Sequence, residues 1–261
     1  MDDKLLSVIT VTYNNGETIK EYLNSLEKFL PKNAEVIVVD NNSEDWTVGE
    51  LEKDKNILLI KSSRNLGFSK ANNMAVGKAQ GKYLFFLNPD TKVLDDAINK
   101  LLEFAQSHEN MGIVAPKLVE PSGKVQPSVR RLPSIFGAIK EYYLGVKKSF
   151  EPYVPQGDQV VDVESVVGGA MLIKRELFNK VGGFNEKYFL YFEDLELCRQ
   201  VKKLGYKVYY LPDVAIIHRV GSSISRDKLK WIRQSEKLYH GFVKYLILYL
   251  ILRPRHLLRK F

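Results

Sequence analysis

Carboxylates stand at three places where an apolar run gives way to polar residues. Asp40 follows residues 35–39 (EVIVV), Asp90 follows 83–87 (YLFFL) through Asn88-Pro89, and the pair Glu193-Asp194 follows the aromatic stretch 188–192 (YFLYF). A carboxylate so placed can serve as a hard oxygen ligand for Mg²⁺ or Mn²⁺, as an acceptor for the N3–H of a pyrimidine, or as a base toward a hydroxyl proton. Each position also has a plainer reading. Asp and Asn close strands as turn formers, a Pro-containing turn ends a buried strand, and an acid pair in the first turn of a helix complements its dipole. His218 ends the apolar segment 214–217 (VAII) and is either a structural histidine or a metal ligand. Gly168-Gly169 permits close backbone approach to a ligand, or only a tight turn. The single cysteine, Cys198, leaves no internal disulfide and no multi-cysteine zinc site, and is read as a buried helix residue.

Positioning these groups requires a sheet. Residues 5–13 (LLSVITVTY), 35–39, 57–61 (ILLIK) and 83–87 are β-branched or aromatic runs separated by helical patterns, which predicts parallel strands buried on both faces. In such α/β sheets ligands bind beyond the strand C-termini, where Thr12, Asp40 and Asp90 fall. A helix is expected from about 69 to 79. The pattern loosens from 123 to 162, with Pro127, Pro133, Pro152 and Pro155, and is read as an excursion over the active face. Strand signals return at 166–174 and 206–210, with helical spacing between them over 193–204. At 261 residues the chain is expected to form one main domain, residues 1–225, followed by a tail.

The motifs Thr12-Tyr13-Asn14-Asn15, Asp40-Asn41-Asn42-Ser43, Arg64-Asn65-Leu66-Gly67-Phe68, Asn88-Pro89-Asp90, Gly168-Gly169-Ala170 and Tyr191-Phe192-Glu193-Asp194 come in one order. In that order the chain resembles the family-2 glycosyltransferases of the GT-A fold, especially bacterial rhamnosyltransferase-like members, over residues 5–225. The resemblance implies a mixed sheet flanked by helices. It further implies inverting transfer of a sugar from a nucleoside diphosphate, dTDP-rhamnose ahead of UDP-sugars, to an acceptor hydroxyl in polysaccharide or cell-envelope glycan synthesis. Asp40 would then receive the base, with Thr12, Tyr13 and Asn15 bordering base and ribose. Arg64, Asn65 and Gly67 would lie toward the diphosphate, and Gly168 and Gly169 beside the donor sugar. Asn88-Pro89-Asp90 fills the place of the usual Asp-x-Asp pair, with asparagine for the first acid, so that Asp90 and His218 would hold Mg²⁺ or Mn²⁺. Asp194 would be the base and Glu193 an acceptor-binding neighbour.

Three other function classes fit less well. A dinucleotide-dependent oxidoreductase would carry a G-x-G-x-x-G fingerprint, whereas residues 12–18 contain only Gly16. A nucleotidyltransferase would carry a glycine- and lysine-rich first loop. A non-catalytic carbohydrate- or nucleic-acid-binding module would not require Asp90 and Asp194.

The net charge of +8 is confined to the end of the chain: residues 226–261 carry ten Lys/Arg against Asp227 and Glu236, while the remainder balances. A neutral body with a basic tail predicts one anionic contact surface. Residues 242–252 are apolar apart from Lys244 and too short to span a bilayer, so an interfacial helix is expected, with Phe242, Tyr245, Leu246, Leu248, Tyr249 and Leu252 inserted. The partner is read as an anionic membrane and not nucleic acid, with a helix that packs back on the domain or on a second subunit as the alternative. With no cleavable signal peptide to read, the expected location is cytoplasmic, at the inner face of the plasma membrane, with a glycan or lipid-linked glycan acceptor. Removing the tail is expected to leave the donor site intact.

Overall fold

The apolar runs become strands because β-branched and aromatic side chains suit a pleated sheet covered on both faces. In the computed structural model, which describes residues 4–219 and 227–258, the chain opens with β1 (Leu6–Thr12), α1 (Gly16–Phe29), β2 (Ala34–Asp40), α2 (Thr47–Leu51), β3 (Ile57–Lys61), α3 (Phe68–Val76) and β4 (Tyr83–Leu87). The middle comprises β5 (Thr91–Val93), α4 (Ala97–Ser107), β6 (Met111–Val119), β7 (Val129–Arg130), α5 (Ile135–Tyr142), β8 (Val161–Val163) and β9 (Ser165–Val166). Then come β10 (Ala170–Lys174), α6 (Arg175–Lys180), α7 (Glu193–Lys203), β11 (Lys207–His218), α8 (Lys228–His240) and α9 (Phe242–Leu258).

The main sheet has the order β3-β2-β1-β4-β10-β6-β11-β5, with β8 also on β11. Strands β1 to β4 are parallel, as their spacing predicts. The second half is not all parallel. Strand β10 returns from the excursion antiparallel to β4, pairing Ala170 with Leu87, and lies antiparallel to β6, while β6 and β11 run parallel. The result is a mixed sheet. The expected helix at 69–79 ends at Val76, before Gly77, a poor helix former.

Alternating side chains divide the core between the two faces. Val8, Val38 and Phe85 pack with α1 residues Ile19 and Tyr22 on one side, and Ile9, Ile37 and Phe86 pack with Phe178 and Phe184 on the other. Pairing of Thr12 with Asp40 brings the ends of β1 and β2 level, beside the end of β4. That aligned edge is where polar residues begin.

The tail departs from the expectation of an independent segment. The boundary drawn between 225 and 226 lies outside the described residues, and α8 and α9 both pack on the body. Leu248 is buried against Ala138 and Phe150, so it is not available for insertion as expected, and Leu252 is partly covered in the same cluster. Burying one leucine side chain stabilises this packing by about 1.5–3 kcal/mol, which is why α9 docks. Among the described residues no helix is long and apolar enough to cross a membrane.

Candidate active site

Two cavities open along the strand ends and share Phe68, Asn88 and Leu190. The first, about 420 Å³, is lined by Tyr13, Asn15, Asn41, Asn65, Gly67, Asp90 and Phe189, with Asp227 and Trp231 of α8 across from them. Asn41 shapes it. Its Nδ2 donates to Asn65 Oδ1 at 2.9 Å and to the Gly67 carbonyl at 3.3 Å, and its Oδ1 accepts from Leu66 N–H at 2.7 Å. The loop after β3 is thereby tied to the end of β2. Gly67 has φ of 81°, and a Cβ there would stand 2.5 Å from the Phe189 carbonyl, which accepts from Phe68 N–H. Only glycine allows this approach.

Not every expected donor residue faces that cavity. Thr12 and Asp40 are buried behind it: Thr12 Oγ1 donates to Asp40 Oδ1 at 3.1 Å, and Ser43 N–H donates to Oδ2 at 3.0 Å. Arg64 sits on the exposed part of the loop and lines neither cavity.

Asp90 and His218 do come together. Strand β11 continues past 210 and pairs with β5, His218 opposite Thr91, so His218 lies in the strand and its Nε2 stands 3.4 Å from Asp90 Oδ1. Gln126 fixes the imidazole. Its Nε2 donates to the His218 carbonyl at 2.5 Å, which turns its Oε1 toward His218 Nδ1 at 2.8 Å. An amide oxygen can only accept, so Nδ1 carries a proton, and in the neutral imidazole Nε2 presents its lone pair toward Asp90. That lone pair beside a carboxylate oxygen is a donor set suited to a divalent cation. Partners that orient a ligating histidine are worth 10- to 100-fold in metal affinity. Gln126→Leu is therefore expected to weaken Mn²⁺ binding by about 10- to 100-fold, measured by calorimetry with nucleoside diphosphate present, while the thermal midpoint without metal falls only by the few degrees that two lost hydrogen bonds account for. No group of three or more His, Cys, Asp or Glu able to hold a metal occurs among the described residues. An ion here would draw its remaining ligands from elsewhere.

The second cavity, about 400 Å³, is lined by Arg130, Phe150, Gly168, Gly169, Glu193, Asp194, Ile232 and Glu236, among others. Asp194 is fixed by two backbone donors, Gly168 N–H to Oδ2 at 3.0 Å and Leu195 N–H to Oδ1 at 2.7 Å. Burial raises its pKa above the usual carboxylate value, opposed by those N–H groups and by Arg130. Glu193 is raised well above, first by burial and then by the Asp194 charge, and its Oε2 has no hydrogen-bond partner among the described residues. Burial and a neighbouring like charge both favour the uncharged form. A Cβ on Gly169 would lie 3.5 Å from His218 Nε2, and one on Gly168 3.5 Å from Asp194 Cβ, so the glycine pair keeps open the space between the two sites.

The segment before α7 is strained. Tyr191 and Phe192, neither of them glycine, have φ of 70° and 69°. Each costs on the order of 1–3 kcal/mol and persists only where surrounding structure imposes it. Helix α8 supplies that: Trp231 meets Phe189 with ring centroids 4.0 Å apart, Ser235 Oγ donates to the Leu190 carbonyl at 2.9 Å, and Tyr239 packs on Phe192. The helix thus roofs both cavities. Truncation before it would remove Asp227 and Trp231 from the lining of the first cavity, where the expected donor residues Tyr13, Asn15, Asn65, Gly67, Asn88 and Asp90 lie, contrary to the expectation that the tail is separable from them. Trp231, Ser235 and Tyr239 recur at four-residue intervals, a stripe legible in the sequence beneath the basic charge. Arg130 and Gln126, in the loosened region, carry no such signal.

Comparison with known proteins identifies the family and the fold. A model for glycosyl transferase family 2 matches residues 7–182, and one for the N-terminal domain of galactosyltransferase matches 154–223. The chain is 28% identical over 257 residues to the N-acetylglucosaminyl-diphospho-decaprenol L-rhamnosyltransferase of Mycobacterium tuberculosis (strain CDC 1551 / Oshkosh), covering 92% of this chain and 84% of that protein. It is 26% identical to rhamnosyltransferase WbbL of Escherichia coli (strain K12), covering 82% and 83%. Among solved structures, GalNAc-T7 with UDP, GalNAc and Mn²⁺ superposes with a TM-score of 0.69 at 17% identity over 94% of this chain, which spans 49% of that one. TarS of S. aureus, residues 1–349, gives 0.63 at 20% identity, covering 95% and 69%. The fold is GT-A. The matched region holds the strand ends of both cavities, and the chain belongs to glycosyl transferase family 2, as a rhamnosyltransferase-like member.

Proposed function

We propose that this glycosyltransferase moves a sugar, with inversion, from a nucleoside diphosphate onto the hydroxyl of a lipid-linked glycan, in polysaccharide or cell-envelope glycan synthesis. The donor of first choice is dTDP-rhamnose, with UDP-sugars next. The observation that carries the reading is the meeting of two cavities at Asn88, with the Asp90–His218 pair on one and the fixed Asp194 carboxylate on the other. Similarity to a transferase named for an N-acetylglucosaminyl-diphospho-decaprenol substrate supports the lipid-linked acceptor.

The nucleotide lies in the first cavity against Tyr13, Asn15 and Asn65; Thr12 and Asp40 support the base end from behind the cavity wall, and Arg64 would have to swing in from its exposed loop to meet the diphosphate. Asp90 and His218 would hold Mg²⁺ or Mn²⁺, which would supply positive charge to the nucleoside diphosphate leaving group; the presence of Mn²⁺ with GalNAc-T7 and with a mannosyltransferase of Pyrobaculum calidifontis supports this choice. Gly168 and Gly169 leave room for the sugar. The acceptor hydroxyl enters from the second cavity, and Asp194 takes its proton as the oxygen bonds to the anomeric carbon on the face opposite the leaving phosphate. Glu193 stands beside the acceptor. Helix α8 limits access of water to both. The enzyme works at the cytoplasmic face of the membrane, held there peripherally.

A thermal-shift panel of nucleoside diphosphates and their sugars tests the donor side. Stabilisation that needs Mn²⁺ or Mg²⁺ is expected; indifference to every nucleoside diphosphate would remove the reading.

A further inference from the structure

Helix α9 is apolar nearly all round, and the body covers only one side of it. Leu248 and Leu252 face the body, where Leu248 meets Ala138 and Phe150, and the Tyr143 hydroxyl donates to the Ile251 carbonyl at 2.8 Å. On the opposite side Phe242, Leu246 and Leu250 follow at four-residue spacing, flanked by Val243 and Ile247, all exposed. A helix with apolar residues on every side requires a second apolar partner.

The excursion adds to this exposed set. Helix α5, on which α9 rests, leaves Phe136 64% exposed, and the turn after it leaves Leu144 66% exposed together with Tyr143 and Val146. These residues were not part of the expected tail. Their charge surroundings are one-sided. Lys140 Nζ lies 4.5 Å above the Phe136 ring and Lys237 Nζ 5.1 Å above that of Phe242, with Lys147, Lys148 and Lys244 exposed nearby in sequence. The acids of the same stretch are turned to structural use: Glu141 Oε2 accepts from the N–H groups of Ser149, Phe150 and Glu151, and Glu151 accepts from the Tyr142 hydroxyl. The described part of α9 has no acid at all.

We propose that α9 and the α5 segment form one membrane-docking surface for bilayers bearing anionic headgroups, which holds the second cavity beside the membrane. Apolar groups rimmed by lysines fit the headgroup boundary, whereas a second copy would set like charges against each other. The link to the site is Phe150, which both lines the second cavity and packs on Leu248. This deepens the lipid-linked acceptor reading and rests on it for the role of the cavity; the docking itself does not depend on the donor.

The test is flotation of the full chain with phosphatidylcholine vesicles, with and without phosphatidylglycerol. Binding is expected only with the anionic lipid, weaker as salt rises because exposed charges are screened beyond about 8 Å at physiological strength. Leu246→Glu on α9 and, separately, Leu144→Glu beyond α5 should each weaken binding by about tenfold or more, the equivalent of withdrawing one leucine from an apolar phase. Both variants should keep the nucleoside diphosphate thermal shift, which shows that they fold and separates failure of docking from failure of the donor reading. Three results would overturn the proposal: full-length protein that ignores anionic vesicles, binding indifferent to Leu144→Glu, or a vesicle-free dimer in sedimentation that Leu246→Glu dissociates.

Discussion

Asp194→Asn is expected to retain donor binding while transfer falls by about 10²- to 10⁴-fold, the loss associated with removing a general base. The amide keeps the size of the side chain and one acceptor oxygen, so one of the two hydrogen bonds, from Gly168 N–H to Oδ2 or from Leu195 N–H to Oδ1, is retained and the other is lost. What it cannot do is take a proton. The pH profile provides a second readout. Burial raises the Asp194 pKa, so the carboxylate that acts as base is lost at a higher pH than for a free aspartate. Activity should therefore fall on the acid side above the ordinary carboxylate range of about 4. Glu193→Gln should cost less than Asp194→Asn and leave the acid limb in place, because burial and the Asp194 charge both disfavour the charged form of Glu193. A large loss in that variant, with Asp194→Asn mild, would exchange the two roles.

Asp90→Ala should cost nearly as much, through the donor. Asp90, which lines the first cavity, and His218, 3.4 Å from it, are the ligands proposed for the ion, and Asp90→Ala removes the charged one of the two. Loss of an outer partner costs 10- to 100-fold in metal affinity. Loss of a ligand should cost at least about the upper end of that range. The expected result is metal-dependent nucleoside diphosphate binding weakened by about 10²-fold or more, with EDTA abolishing transfer by the parent enzyme and adding little to the variant. Full activity in EDTA would contradict the metal role.

What could be read from the chain follows the range of the forces involved. The first four strands and their polar ends are local patterns, a β-branched run closed by Asn or Asp, and the structure aligns Thr12 with Asp40 as that pattern requires. Asp90 and Asp194 are legible for the same reason, each lying where periodicity changes. The direction of β10 was not legible, because it depends on where the excursion returns the chain. His218 was placed after a strand but lies within one, since pairing with β5 extends β11 through it. Gln126 gave no signal at all: a lone glutamine in a proline-rich stretch gains its meaning only from meeting His218, 92 residues away. Helix α8 was misread because its lysines and arginines dominate its composition. Its charge faces solvent, while Trp231 and Ser235 face the site.

The depth of the tail's involvement changes how the protein should be divided for experiment. A cut at residue 225 would expose Phe189 and Leu190, remove Ile232 and Glu236 from the second cavity, and release the strained Tyr191-Phe192 turn. Point substitutions on the outer face of α9 are the gentler probe.

The most direct measurement of the central claim is product analysis. Labelled dTDP-rhamnose and then UDP-sugars are incubated with the full chain, a divalent ion and a diphosphate-linked amino-sugar lipid, and nucleotide release is counted against label in the lipid. One nucleoside diphosphate released per sugar transferred, with the anomeric configuration of the product opposite to that of the donor, is the predicted result. Release of pyrophosphate from a nucleoside triphosphate, or transfer with retained configuration, would contradict it.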